Sequence, residues 1–110
     1  MNKLLSNLGL CRRAGKLELG FDAATTALAQ DKVKILLLTS DLSSKTQKEI
    51  LYRAKRTSVP VYRLPYTMEE TQFLSAKRVG IMAVVDDQLA NLIQNSLSAD
   101  VELLKEAGSL

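Results

Sequence analysis

Histidine and tryptophan are absent from this chain, and cysteine occurs once, as Cys11. Without an imidazole, His-dependent triads and histidine general bases fall away. One thiol and no imidazole leave zinc without enough ligands, so no metal site is expected. No internal disulfide can form either, which fits a reducing compartment. Cys11 lies inside an apolar helical pattern and reads as a packed core thiol. Aromatics are sparse: two phenylalanines and three tyrosines are too few for a platform that stacks single-stranded nucleic acid. Hydrophobic runs are short. Ile35-Leu36-Leu37-Leu38 falls far below the about 20 residues that cross a bilayer. Ser6 and Asn7 break the start before the apolar part of a signal peptide can form. A cytoplasmic location, away from membranes, is the expectation. Neither G-x-G-x-x-G nor a P-loop sequence occurs, so no nucleotide fingerprint supports an enzyme.

What remains is an ordinary globular composition. The 110 residues are 46% apolar and 25% charged, enough to bury one core, and a single domain over 1–110 is expected. The net charge of +3 conceals a split. Residues 1–63 hold 12 cationic and 5 acidic side chains, a net +7, whereas residues 64–110 hold 3 and 7, a net −4. Such asymmetry suggests a basic face for nucleic acid or another polyanion.

The apolar periodicity gives alternating helices and strands. Asn2 is placed to cap a helix with Leu4, Leu5, Leu8 and Cys11 inward, closed at Gly15. Residues 17–19 suit a short extended piece, and residues 20–30 a second helix. Continuous β-type runs at 33–39 and 79–85, with a third strand at 59–64 entered through Pro60, predict buried strands. Asp41 or Ser43 caps the helix carrying Thr46, Ile50, Leu51 and Ala54, and Asp86 caps another with Leu89, Leu92, Ile93 and Leu97. Thr67 is expected to open a short helix, and residues 100–107 to form a last helical segment. Alternation of this kind predicts a largely parallel sheet with helices on both faces.

Residues 12–20, Arg12-Arg13-Ala14-Gly15-Lys16-Leu17-Glu18-Leu19-Gly20, place three cations and two glycines just ahead of a helix. A helix start offers unpaired N–H groups and partial positive charge, and glycine lets a phosphate come close to them. Taken alone, the segment reads equally as an anion site or as a helix end and a turn with solvated arginines. Lys77-Arg78, in the loop before the last buried strand, is a second cationic cluster that the topology can bring toward Gly20. Lys45, Lys48, Tyr52, Lys55 and Arg56 form a basic stripe on one helix, expected to lie further from Gly20. Asp86-Asp87 and Thr39-Ser40-Asp41 follow strands, as catalytic acids often do, but have no companion base or metal motif and read as helix caps. Catalysis is not expected.

Taken in order, Leu8-Gly9-Leu10-Cys11-Arg12-Arg13-Ala14-Gly15-Lys16-Leu17, Gly20, the run 33–41, Ser58-Val59-Pro60-Val61 and the run 80–86 resemble one family. It is the kink-turn-binding ribosomal protein family, which includes large-subunit proteins seven-Ae and thirty-e. Within it, the chain is most similar to the short bacterial YlxQ-like branch of RNA-binding proteins, over about residues 2–97. The resemblance implies a three-layer α/β/α sandwich around a small mixed, mostly parallel sheet, and a ribosomal or ribosome-associated RNA partner with a sharp bend, with no catalysis, no cofactor and no small-molecule substrate. It also implies which residues face that RNA. Gly20, Phe21, Asp22, Ala23 and Thr26 belong to the glycine-led helix start, with Arg13 and Lys16 ahead of it. Lys77, Arg78 and Val79 belong to the loop before the last strand. Many family members read Gly-x-Asn-Glu-x-Thr-Lys at the helix start. Here Gly20 and Thr25 match, while Asp22, Ala23 and Thr26 replace the Asn, Glu and Lys that read bases. Recognition then rests on shape and phosphate contacts. The alternative is a protein–protein module of the same fold with an eroded RNA face.

Overall fold

In the computed structural model, which describes residues 2–108, the first helix α1 spans Lys3–Arg13. Its start and end follow from local chemistry. The Asn2 side chain accepts from the Leu5 N–H at 2.9 Å, satisfying one of the orphan donors of the first turn. At the other end Gly15 has φ 70°. The N–H groups of Gly15 and Lys16 donate to the carbonyls of Arg12 and Cys11 at 3.1 and 3.0 Å. That pair of bonds around a left-handed glycine is a Schellman motif. Met1, Ser109 and Leu110, which complete the domain expected over 1–110, lie outside the described residues.

The chain continues through β1 (Leu17–Leu19), α2 (Phe21–Ala29), β2 (Ile35–Leu38), α3 (Ser44–Ala54), β3 (Val61–Arg63), β4 (Ile81–Val84), α4 (Asp87–Asn95) and β5 (Glu102–Lys105). Five strands form one sheet in the order β1-β4-β2-β3-β5. Alternation within the central strands divides the core. Ile35, Leu37, Met82 and Val84 meet Leu4, Leu8, Cys11 and Ile93 of α1 and α4. Leu36, Leu38, Ile81 and Ala83 meet Ala24, Leu28, Ile50 and Ala54 of α2 and α3. The expected α/β/α sandwich and mixed sheet are therefore present.

The strand directions differ from expectation. Only β2 and β3 pair in parallel; β1–β4, β2–β4 and β3–β5 are antiparallel. The cause lies in residues 64–80, which never cross back to the far end of the sheet. Ser40 N–H donates to the Tyr66 carbonyl at 2.8 Å, Met68 N–H to the Asp41 carboxylate at 3.0 Å, and Thr39 N–H to the Gly80 carbonyl at 3.0 Å. The segment thus stays where β2 and β3 finish, and β4 starts there and runs back. Asp41 is used in this bond, and Ser43 is the cap of α3.

Two predicted helices are also replaced. Thr67 and Glu70 do form a reciprocal capping box, but the chain then makes turns and a single 3-10 turn, Gln72–Leu74. Buried Thr71 donates its hydroxyl to the Thr67 and Met68 carbonyls, at 3.2 and 3.3 Å, and so short a segment cannot sustain nucleation. Residues 102–105, expected within a helical segment over 100–107, form edge strand β5 against β3. Arg63 pairs with Glu102 there, and Lys105 Nζ donates to the Thr57 and Val59 carbonyls at 2.9 and 3.0 Å. Long-range pairing outweighs local propensity in that segment.

Candidate nucleic-acid interface

Gly20 opens α2 with φ 96° and ψ 167°, a region essentially closed to residues with a side chain. Its own N–H donates to the Ile81 carbonyl at 2.9 Å, and its carbonyl accepts from Ala24 at 3.0 Å. No side chain caps this helix, unlike α1, α3 and α4, which Asn2, Ser43 and Asp86 cap. The first-turn donors of Phe21, Asp22 and Ala23 therefore have no helical partner. The Asp22 carboxylate is exposed beside them and offsets part of the helix dipole.

The register of β1 against β4, with Leu19 opposite Met82, puts this helix start beside the loop that leads into β4. A Cβ built on Gly20 would sit 3.7 Å from Val79 Cγ1. Lys77 and Arg78 are exposed in that loop. Lys77 N–H donates to Ser75 Oγ at 3.2 Å, which shapes the turn. Arg78 approaches Glu69 at 3.9 Å, a pair with both side chains mostly in solvent and of little energetic weight. Gly80 is fixed by packing: a Cβ there would lie 2.7 Å from Leu42 Cδ1 and 3.1 Å from Thr39 Oγ1.

A cleft of about 670 Å³ runs along α2 between the helix and the β1 edge, lined among others by Lys16, Asp22, Ala23 and Thr26. Lys32 and Lys34 extend it past the end of α2, opposed by Glu18 and Asp31. These two lysines were not in the predicted set, because nothing local relates residues 32–34 to Gly20; only the fold joins them. Arg13 stands apart from the cleft. It belongs to α1, in the opposite layer, with its Nη1 atom 3.4 Å from where a Gly9 Cβ would be. Arg12 Nε donates to the Leu74 carbonyl at 2.7 Å, so that arginine holds the 3-10 turn.

Other candidates resolve as structure. The Asp86 carboxylate accepts from the Leu89 N–H at 2.9 Å as the α4 cap. Cys11 is fully buried, and burial pushes its thiol up to about 11, the opposite of an activated nucleophile. The basic stripe predicted on α3, at Lys45, Lys48, Tyr52, Lys55 and Arg56, is exposed throughout. Arg53, which the stripe did not include, places its guanidinium 5.7 Å from the centroid of the Phe21 ring.

Comparison with known proteins adds an independent line. Residues 2–94 match the ribosomal protein L7Ae/L30e/S12e/Gadd45 family. The chain belongs to that family. The span matched by the L7Ae/L30e/S12e/Gadd45 family takes in both the Gly20 helix start and the 76–80 loop, and it ends before β5. A relative named RNA-binding protein YlxQ, from Enterococcus faecium, is 30% identical over 88 residues, covering 80% of this chain and 84% of its own length. The protein of the same name from Bacillus subtilis (strain 168) is 30% identical over 89 residues, covering 76% and 84%. A solved structure of a protein of unknown function from Bacillus halodurans C is 26% identical with a TM-score of 0.73, over 86% of this chain and 99% of that one.

Proposed function

We propose that this protein binds structured RNA of the sharply bent, kink-turn-like class, in the cytoplasm and on ribosomal or ribosome-associated RNA, without catalysing a reaction. The observation that carries the reading is the meeting of Gly20 with Val79. It sets an uncapped helix start and a cationic loop side by side at one end of the sheet. Unpaired N–H groups with nearby lysine and arginine suit phosphate oxygens. Two relatives named as RNA-binding proteins, and membership of a ribosomal protein family, support the same reading. Gly20, Phe21, Asp22, Ala23 and Thr26 face the RNA from the helix, and Lys77, Arg78 and Val79 from the loop. Lys16 borders the same cleft, and Arg13 reaches RNA only where it wraps toward α1.

The test is titration of a kink-turn RNA and a matched straight duplex at several salt concentrations. Three phosphate contacts give a log–log slope of about −2 to −3. Tighter binding of the bent RNA, with a slope at least that steep, is the expected result. Absence of binding, or an affinity indifferent to salt, sinks the proposal. A second reading, a protein-binding module, is favoured by the charge balance of the cleft, where Lys16, Lys32 and Lys34 face Glu18, Asp22 and Asp31. Pull-downs with and without ribonuclease separate the two, since a direct protein partner survives digestion.

A further inference from the structure

Residues 44–56 carry five cations, Lys45, Lys48, Arg53, Lys55 and Arg56, against a single acid, Glu49, and all six are exposed. The ion pairs among the described residues, Lys34–Asp87, Arg63–Glu102 and Arg78–Glu69, use none of them. Two concavities flank this helix. One, of about 350 Å³, lies between α2 and α3 and is lined by Thr25, Leu28, Asp31, Arg53, Arg56 and Thr57. The other, of about 320 Å³, is formed by Lys48, Glu49, Tyr52 and Arg53. Arg53 borders both, and its guanidinium over the Phe21 ring joins them to the residue that follows Gly20. Thr25 and Thr57 spend their hydroxyl protons on the Asp22 and Ala54 carbonyls, at 3.1 and 2.7 Å. The guanidiniums are thus the free donors of the groove, in the fork geometry that grips phosphate.

We propose that the α2–α3 groove is a second RNA contact, holding backbone phosphates of the duplex arm that leaves a bend seated at Gly20. Arg53 and Arg56 are its phosphate ligands, and Lys48 lies beyond them along the arm. This rests on the reading of the Gly20 end as an RNA site. The chemistry of the groove favours a polyanion over a protein. Protein interfaces center on buried apolar and aromatic anchors, whereas the one large apolar side chain exposed on α3 is Tyr52, set among cations that make no ion pair among the described residues. An 11-residue helix is about 16 Å long, roughly half a helical turn of duplex, which suits a short run of phosphates.

The experiment is phosphate-ethylation interference and salt titration on a kink-turn RNA with stems of about one helical turn each, using the full chain and two double variants. For the wild type we expect two interference patches, at the bend and along one stem. Arg53→Gln with Arg56→Gln should lose the stem patch, keep the bend patch and flatten the salt slope by about two. Arg53→Lys with Arg56→Lys keeps both charges and should keep the slope; an equal loss there overturns the proposal, because charge would not be the cause. It is equally overturned if the glutamine pair retains the stem patch, or loses the bend patch along with it. Unchanged RNA binding beside loss of a ribonuclease-resistant complex assigns the groove to a protein and overturns it too. If the wild type binds no RNA, the Gly20 reading falls as well, which tells the two failures apart.

Discussion

Gly20 and Gly80 stand on either side of the same junction, yet glycine is needed at each for a different reason. At Gly20 the backbone itself, with φ 96°, demands it, while space for a Cβ exists. Gly20→Ala should destabilise the protein by about 1–3 kcal/mol through backbone strain, measured by urea or thermal unfolding. Trimming Val79 should not recover that loss. At Gly80 the obstacle is Leu42, so Gly80→Ala should be partly rescued by Leu42→Ala, and absence of any rescue refutes the steric account. Cys11 gives a prediction of another kind. Its thiol is raised from 9.0 to about 11, mainly by burial, with a backbone hydrogen bond opposing and the Asp86 charge adding to it. The unfolded chain therefore loses this proton first, and stability falls as pH rises from 9.0 to about 11, by roughly 1.4 kcal/mol per pH unit. Below that window the group contributes no pH dependence. Comparison with Cys11→Ala isolates the effect: the wild type should lose more stability than the variant as pH rises from 9.0 to about 11, and parallel curves refute it.

At the level of elements, what depended on neighbouring residues was legible and what depended on distant ones was not. Asn2 and Asp86 cap their helices as predicted, and Ser43, one of the two residues offered for α3, caps that one, because a cap needs only the donors two or three residues ahead. The Gly15 stop and the glycine start at Gly20 were visible for the same reason. The direction of β4 was not, since it follows from bonds that tie residues 66–68 to the loop after β2. Nor was β5, whose helical pattern yields to the open edge of β3. Lys105 shows what secures that strand. Its ammonium bridges the carbonyls of Thr57 and Val59, and Lys105→Met leaves both without that donor. A loss of about 1–3 kcal/mol is expected, seen in unfolding and in faster amide exchange across β5 and β3. Burial lowers the Lys105 pKa below 10.5, so the unfolded chain holds this proton more tightly. Stability from this group rises with pH between the lowered value and 10.5, against the trend set by Cys11. An unaltered melting point in Lys105→Met would mean that the β3 pairing alone holds β5.

For the whole molecule, the relevant quantity is how the cations are distributed over the fold. The net +7 of residues 1–63 is carried in part by α3 and by the lysines around the α2 cleft. Of the acids behind the net −4 of residues 64–110, Asp86 and Asp87 stand at the α4 start, and Asp100, Glu102 and Glu106 lie on or beside β5, the sheet edge opposite β1. Lys77 and Arg78 are the exception: two of the three cations in the acidic part, returned by the antiparallel course of β4 to the side of Gly20. Sequence order alone assigns them to the wrong half, and the sheet corrects that. A polyanion seated at Gly20 is therefore held by both parts of the chain at once. Each phosphate neutralised contributes about 0.9 to the log–log salt slope on a duplex and about 0.7 on a single strand. Neutralising Lys77 and Arg78 together should then flatten the wild-type slope by about one and a half to two, on a kink-turn RNA whatever the sequence of its stems. Neutralising Asp100 and Glu106, which flank β5 at the sheet edge opposite β1, releases no counterion from the RNA and should leave the slope where it was, even if long-range repulsion eases and affinity rises slightly. A slope that shifts as much for the acidic pair as for Lys77 and Arg78 would put the RNA at the β5 edge of the sheet and refute the Gly20 interface.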